Sequence, residues 1–476
     1  MKVVIPSIND PEVNAMLQAL YSRSHISITK HLDDLGYTEP KDDDNSEANK
    51  LKSKVKQFYI GYGHASIADC GTTTVFIEDV SILAAKAIQD NPLYSGQESS
   101  TRYIDFSSKS PSLKAIINTY YRDSISDETH KYIDNLLDDM YFVYTQVFNE
   151  ILDGLMNKSD KDSLTSNDIR ALKARTFDIT RGLLPCGTTT QLSIHGSLRM
   201  LRDHFKRLVH HPFNEVRSIA QTVLKSLYEK YPNTFKKEDY LEVGEDIGSV
   251  DDFYNNFIVN EDATSYHWVS GVNNPNRNIH FTPNKYSPIN SSMLNGLIGS
   301  HITARDTHAL DYGSWRDLQR HRNGYCMPTL PKLPWSKSQS LKWYTSKICN
   351  SLSPTTLSSL ISVIDRIHLL SSKLHNLNAD NKAILMSYIL PLFTPVDTTI
   401  IYSLEQWKYL LNLRVRDTVH PTLVNYLVYI STYLSNTFPN VCKDFSKYRA
   451  CDTDTINSNR GKHTILIGGK ELKAID

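Results

Sequence analysis

Residues 184–212 read LPCGTTTQLSIHGSLRMLRDHFKRLVHHP, and residues 390–421 read LPLFTPVDTTIIYSLEQWKYLLNLRVRDTVHP. Each stretch opens on a leucine-proline breaker, continues as an amphipathic run that carries arginine, and closes on His-Pro. In the first, Leu184-Pro185 precedes a run bearing Arg199 and Arg207 and ends at His211-Pro212. In the second, Leu390-Pro391 precedes Leu404, Trp407, Leu410, Leu411 and Arg414 and ends at His420-Pro421. Pro185 and His211 are 26 residues apart, and Pro391 and His420 are 29 apart. The shared order points to a chain of two related halves.

Working outward, the pattern from Ile169 to Leu208 reads as helix interrupted at Gly182, Pro185 and Gly187. Leu198, Leu201, Phe205 and Leu208 recur at three- and four-residue steps, the mark of a buried helical stripe. Arg199, Arg202, Lys206 and Arg207 lie mainly off it. Helix is expected over 108–153, 169–226, 340–376 and 400–437. Residues 71–80 (GTTTVFIEDV) suit a strand, 81–89 a helix, and further strands are expected at the termini. Residues 38–50 and 155–168 read as solvated loops, the second ending in a helix cap, and 272–292 as loops. The polar segment 229–260 is the best domain boundary. The expected division is a first domain at 1–232, a linker at 233–280 and a second domain at 281–476.

At 476 residues the chain is too long for one ordinary core. Lys plus Arg and Asp plus Glu both number 52, so no global field draws it to nucleic acid polymers or an anionic membrane. A mean hydropathy of −0.38 describes a soluble globular protein. No run is long enough to span a bilayer, and MKVVIPSIND is no signal peptide. The six cysteines are scattered without a CxxC pair, so no metal site or disulfide framework is expected and a cytoplasmic setting fits.

Three clusters carry chemistry. Residues 316–322 (RDLQRHR) hold three arginines and a histidine in seven positions. Arg316 and Arg320 are four apart and share a helical face, while Arg320 and Arg322 flank His321. Such a fork suits phosphate or carboxylate; a solvated charge run neutralised by Asp311 and Asp317 fits the spacing as well. Residues 61–70 (GYGHASIADC) put His64 among glycines, as a turn or packing residue or as part of a site, with Ser66 able to cap the next helix. Residues 95–103 (SGQESSTRY) concentrate donors and acceptors in Gln97, Glu98, Ser99, Ser100, Arg102 and Tyr103. They can read a phosphate and a pyrimidine-like ring, or form a Ser/Thr loop anchored by an Arg–Glu pair. Tyr62, Tyr94, Trp315 and Tyr325 can stack on a planar ligand, although such aromatics more often belong to the core.

Together, Gly63-His64-x-Ser66, the run Gln97 to Tyr103, and the Leu-Pro-led helix with Arg199 and Arg207 followed by His211, Asn214 and Glu215 resemble the flavin-dependent thymidylate synthase family. The resemblance covers most of 55–220 and recurs more faintly over 293–430. The first half has Asp90-Asn91-Pro92 where the family has Arg-His-Arg. The second keeps Arg320-His321-Arg322 but continues Asn-Gly-Tyr-Cys-Met-Pro, without the nucleotide run. Each half thus retains the part that the other lacks.

The resemblance implies an α+β fold of two ThyX-like domains, each a small mostly antiparallel sheet with long helices. It implies FAD held by Arg320, His321 and Arg322 with His64 on the flavin or folate side. It implies dUMP held by Gln97, Glu98, Ser99, Ser100, Arg102, Tyr103, Arg199 and Arg207, with Arg102, Ser100 and Arg207 closest to the chemistry. Methylenetetrahydrofolate would give the one-carbon unit and NADPH would re-reduce the flavin. One active site between the two domains, in a homodimer of tandem chains, is the arrangement expected. Another pyrimidine-nucleotide modification, such as hydroxymethylation, would use the same framework. A non-catalytic nucleotide- or flavin-binding protein, or a structural protein that kept the fold, stands as the alternative.

Overall fold

The structure, a computed structural model, describes residues 10–21, 27–34, 65–101, 104–157, 164–241, 302–322, 324–331, 333, 337–348, 352–416, 419–437, 443–449, 465–467 and 470–472. In chain order the helices and strands are α1 (Pro11–Tyr21), α2 (Ile28–Asp34), β1 (Thr72–Ser81), α3 (Ile82–Gln89), α4 (Ser110–Tyr121), α5 (Asp127–Asn157), α6 (Ser166–Thr180), β2 (Thr189–Ser197), α7 (Leu198–Leu208), α8 (Asn214–Lys230) and α9 (Glu238–Leu241). They continue as β3 (Ile302–Asp311), α10 (Tyr312–Gln319), β4 (Tyr325–Pro328), α11 (Lys337–Ile348), α12 (Pro354–Lys373), α13 (Ala379–Ile389), β5 (Pro395–Tyr402), α14 (Leu404–Arg414), α15 (Pro421–Thr437), β6 (Ile465–Ile467) and β7 (Lys470–Leu472). Small sheets with long helices make this an α+β fold.

The chain divides into two compact units that do not follow sequence order. One comprises 1–80, 84–98 and 190–254, the other 81–83, 99–189 and 255–476.

In the first unit β1 and β2 pair, and the segment 95–98 lies antiparallel beside β2, Ser95 opposite His195 and Glu98 opposite Leu192. Along β2, Thr190, Leu192 and Ile194 are buried while Gln191 and His195 are exposed. That period of two is the signature of a half-buried strand. It overturns the helical reading of 169–226 at this stretch, which passed over the alternation inside a long apolar pattern. The helical stripe beyond it holds: Leu198, Leu201, Phe205 and Leu208 are all buried in α7. Ser197 caps that helix by accepting from Met200 N at 3.1 Å. Buried Glu12 on α1 accepts from Asn233 Nδ2 and Thr234 Oγ1, both at 2.8 Å, tying α1 to the turn that follows α8.

The second unit has the antiparallel order β3-β5-β4. The 31-residue α5 buries Ile133, Leu136, Leu137, Met140, Tyr144 and Val147. It packs along α12, where Asp139 pairs with Arg366 and Tyr132 OH donates to Arg366 O at 3.0 Å. The expected cap before 169 is present as a reciprocal box between Thr165 and Asp168 at the start of α6.

Within this unit the two leucine-proline breakers lie against each other, Pro185 opposite Pro391 in antiparallel pairing. Cys186 N donates to Leu390 O and Leu392 N donates to Leu184 O, both at 2.8 Å. One step out, Gly187 N donates to Tyr388 O at 2.8 Å and Phe393 N to Gly182 O at 2.7 Å. Exchanging the two segments maps each bond onto its mate, which is the pattern of a local two-fold axis.

A second recurrence is in register. Ser95 faces His195 and Glu98 faces Leu192; Tyr325 faces Ile401 and Pro328 faces Thr398. β1 and β3 are each 10 residues, α3 and α10 each 8, α7 and α14 each 11, and α8 and α15 each 17. Ser403 caps α14 as Ser197 caps α7. His420 Nδ1 accepts from the amide two residues on, as His211 Nδ1 does.

The strand expected at the N-terminus, the loops expected at 38–50 and 272–292, and most of the linker expected at 233–280 fall outside the described residues. Helix was expected over 340–376 and 400–437. These stretches contain most of α11, then α12, and α14 with α15, but residues 400–402 belong to β5.

Candidate functional site

In the first unit the run that begins at Ser95 is held on β2 by its backbone. His195 N donates to Ser95 O at 2.7 Å and Ser193 N to Gln97 O at 2.8 Å. Gln97 N donates to Ser193 Oγ at 3.1 Å, and Tyr94 OH to Ser193 O at 2.8 Å. A Cβ on Gly96 would lie 2.0 Å from Ser193 O, so the approach of the two strands needs glycine. Gln97 points to solvent. Glu98 points inward, its carboxylate meeting Lys86 Nζ at 2.7 Å with both side chains only 2% exposed. Gln89 Nε2 donates to the same oxygen at 3.0 Å, and Lys86 Nζ donates to Gln89 Oε1 at 2.8 Å.

α7 grips the end of α3 beside that triad. Buried His204 has Nε2 2.7 Å from Ile88 O, which makes Nε2 the protonated nitrogen. Burial, followed by the nearby Arg207 guanidinium, pushes this imidazole down to about 4. Arg207 is exposed and donates from Nη2 to Asp90 O at 2.7 Å. Arg199 pairs with Asp69 at 3.0 Å and Asp203 at 3.5 Å. Gln97, Glu98, Arg199 and Arg207 therefore share one unit. Ser99 and Ser100, both half-buried, are counted to the other unit, with Arg320, His321 and Arg322. His64, Arg102 and Tyr103 lie outside the described residues.

In the second unit the Arg-His-Arg triplet follows α10 directly, as Asp90-Asn91-Pro92 follows α3. Asp311 caps α10, accepting from Ser314 N at 2.7 Å and Ser314 Oγ at 3.0 Å. Arg316 is buried within the helix while Arg320 is exposed, so the pair forms neither the anion fork nor the solvated charge run that their spacing allows. Asp317 is buried too and takes Arg181 Nη2 at 2.9 Å; Arg181 Nε lies 4.0 Å from Asp178. His321 is buried, its Nε2 accepting from Arg414 Nε at 3.0 Å and its carbonyl from Tyr402 OH at 3.1 Å. Arg414 also donates to Asp317 O at 3.2 Å. Burial first, then Arg414, pushes His321 down to about 4. Arg322 is half-buried and Arg320 exposed. Among the described residues the Arg320 guanidinium makes no hydrogen bond or ion pair.

Of the aromatics, Trp315 is core, stacked on Tyr312 at 5.2 Å with Nε1 donating to Cys326 O at 3.4 Å. Tyr62 and the Tyr325 side chain lie outside the described residues. Among the described residues no group of three His, Cys, Asp or Glu is arranged for a metal, and no helix is long and apolar enough to cross a membrane. Cys70, Cys186 and Cys326 are not joined in disulfides. Lys86, Gln89 and His204 were missed in the sequence. The usable signal was that α3 and α10 both carry a cation and, three residues later, a glutamine: Lys86 with Gln89, Arg316 with Gln319.

Comparison with known proteins gives partial matches. Residues 7–233 match the model of the family described as Thymidylate synthase complementing protein. A UPF0159 protein of Chlamydia muridarum is 31% identical over 181 residues, covering 36% of this chain and 33% of that protein. A UPF0159 protein of Chlamydia pneumoniae is 29% identical over 197 residues, covering 40% and 36%. The chain thus spans about a third of the length of these curated relatives. A crystal structure of Thymidylate Synthase X from Helicobacter pylori with FAD and dUMP covers 48% of this chain and 95% of its own at 12% identity. Its TM-score is 0.28, too low for any argument about fold or ligands.

Proposed function

We propose that this chain is a tandem, flavin-dependent enzyme of the thymidylate synthase type, moving a one-carbon unit to C5 of dUMP with FAD as cofactor and methylenetetrahydrofolate and NADPH as co-substrates. One observation carries the reading. The family match over 7–233 encloses the run from Gln97 to Tyr103 together with Arg199 and Arg207. The tandem part is supported by the reciprocal pairing about Pro185 and Pro391 and by the common register of the 95–98 segment and β4.

Arginines suit a flavin's diphosphate, and this reading draws support from Arg320, whose exposed guanidinium makes no hydrogen bond or ion pair among the described residues, with half-buried Arg322 two residues on. When bound, FAD would supply the reducing equivalents for the transfer. The protein's own part is orientation and fixed positive charge. Arg207, Ser100 and Arg102 would bind and orient the nucleotide, with Arg199, Ser99, Gln97 and Tyr103 alongside. His321, neutral and held by Arg414, would present its other ring nitrogen as a donor, and His64 would serve the flavin or folate side.

The test is direct. Purified protein should take up FAD, change its flavin spectrum on dUMP addition, and turn over only with the folate donor. A product carrying hydroxymethyl would instead indicate the related modification. A second reading, a nucleotide-binding protein without turnover, is favoured by one observation: Glu98 is enclosed by Lys86 and Gln89 rather than open to a ligand. Tight dUMP binding with no product would select it. Light scattering should return a dimer of tandem chains.

A further inference from the structure

We propose that Glu98 is a positioning residue rather than a nucleotide ligand: Lys86 and Gln89 clamp its carboxylate and so fix the strand that leads into Ser99, Ser100 and Arg102. This rests on the reading of that run as the dUMP-binding segment. Three hydrogen bonds close the triad, two of them to one Glu98 oxygen, and the carboxylate and ammonium are each 2% exposed. Gln97 faces solvent while Glu98 faces the triad, so the strand's alternation assigns the two neighbours different tasks. The clamp also answers an electrostatic problem. A bare carboxylate one residue before a phosphate-binding run would repel a dianionic nucleotide, and Lys86 neutralises it.

The second half supplies an independent comparison. α10 keeps a buried cation and glutamine, Arg316 and Gln319, at the places of Lys86 and Gln89. At the register position of Glu98 it has Pro328, and it is the half without the Ser/Arg run. The carboxylate thus accompanies the nucleotide segment, not the helix.

The experiment uses the full chain with Lys86→Met, Glu98→Gln, the double variant and Lys86→Arg. Amide hydrogen exchange over 95–101 is measured without ligand, and dUMP affinity and steady-state kinetics with it. Each single variant should speed exchange in this segment and weaken dUMP binding by about tenfold, with the double no worse than either single because the two act as one unit. Lys86→Arg should restore binding, and the loss should appear in KM for dUMP more than in kcat. Should Lys86→Met fail to fold, Lys86→Arg and the neutral double variant still decide the matter. Unchanged exchange over 95–101 in the double variant overturns the clamp, as does a dUMP loss confined to Glu98→Gln with Lys86→Met unaffected. Wild-type protein that binds no dUMP would sink the functional reading, while the exchange data would still judge the clamp.

Discussion

Arg414 and His321, 93 residues apart in the chain, meet with the arginine Nε 3.0 Å from the imidazole Nε2. Because the guanidinium can only donate, His321 must accept there and carry its proton on Nδ1. The two cationic forms cannot coexist at that distance without cost, so Arg414 and burial both hold the ring neutral. Replacing Arg414 by methionine removes the largest charge effect and leaves burial, Arg320 and Arg322 still acting on the ring. NMR titration should show His321 rising from about 4 toward the ordinary 6.5 without reaching it, since burial remains. An unmoved titration would show that Arg414 does not act on the ring.

Acid should destabilise the protein through its buried histidines. His204 and His321 are pushed down to about 4 and His211 to about 3. Each imidazole is neutral in the folded state and, below 6.5, protonated in the unfolded chain. The unfolded state therefore binds more protons as pH falls, and the stability present above 6.5 is lost on the way down to the folded values. Tm should be flat above about pH 7 and decline from about 6.5 to about 5, before most carboxylates titrate. His211→Gln should make that decline shallower.

The Arg181–Asp317 pair should behave as a buried ion pair. Among the described residues, Asp317→Ala leaves Arg181 only the longer contact with Asp178 at 4.0 Å. Leaving one charge of such a pair uncompensated costs about 3–5 kcal/mol. Urea denaturation should show that loss for Asp317→Ala, and a clearly smaller one for the double change Arg181→Met with Asp317→Leu. Additive losses would mean the two charges are not coupled.

Gly96→Ala should lift the 95–98 segment off β2. The new methyl would sit 2.0 Å from Ser193 O, a backbone atom that cannot rotate away. Overpacking of this kind costs about 1–3 kcal/mol. Thermal melts should show the loss, and exchange at the Ser193 and His195 amides should accelerate. Unchanged protection there would contradict the pairing.

Much of the architecture was legible where local chemistry is strong. β1, the following helix and the α7 stripe declared themselves through β-branched runs and three-to-four spacing. The Leu-Pro and His-Pro echo marked segments that adopt matching local bonds. β2 was hidden because Thr188-Thr189-Thr190 and the alternation Leu192, Ile194 sit inside a longer apolar pattern that also fits a helix. The candidate site was readable as composition and unreadable as pairing. By composition Glu98 suits Arg102 or a base edge as partner, yet its carboxylate goes to Lys86, twelve residues back across a helix end and a turn. Arg316 and Arg320 share a helical face by spacing, but tertiary packing buries one and exposes the other. Burial and long-range partners are set by the fold, and a linear pattern does not contain them.

Flavin and nucleotide binding by one chain is the most direct test of the proposed function. Purified protein reconstituted with FAD and titrated with dUMP should show a saturable change in the flavin absorbance, abolished in a variant with Arg320 and Arg322 both changed to glutamine. Wild-type protein that remains colourless after FAD addition, with no spectral response to dUMP, would contradict it.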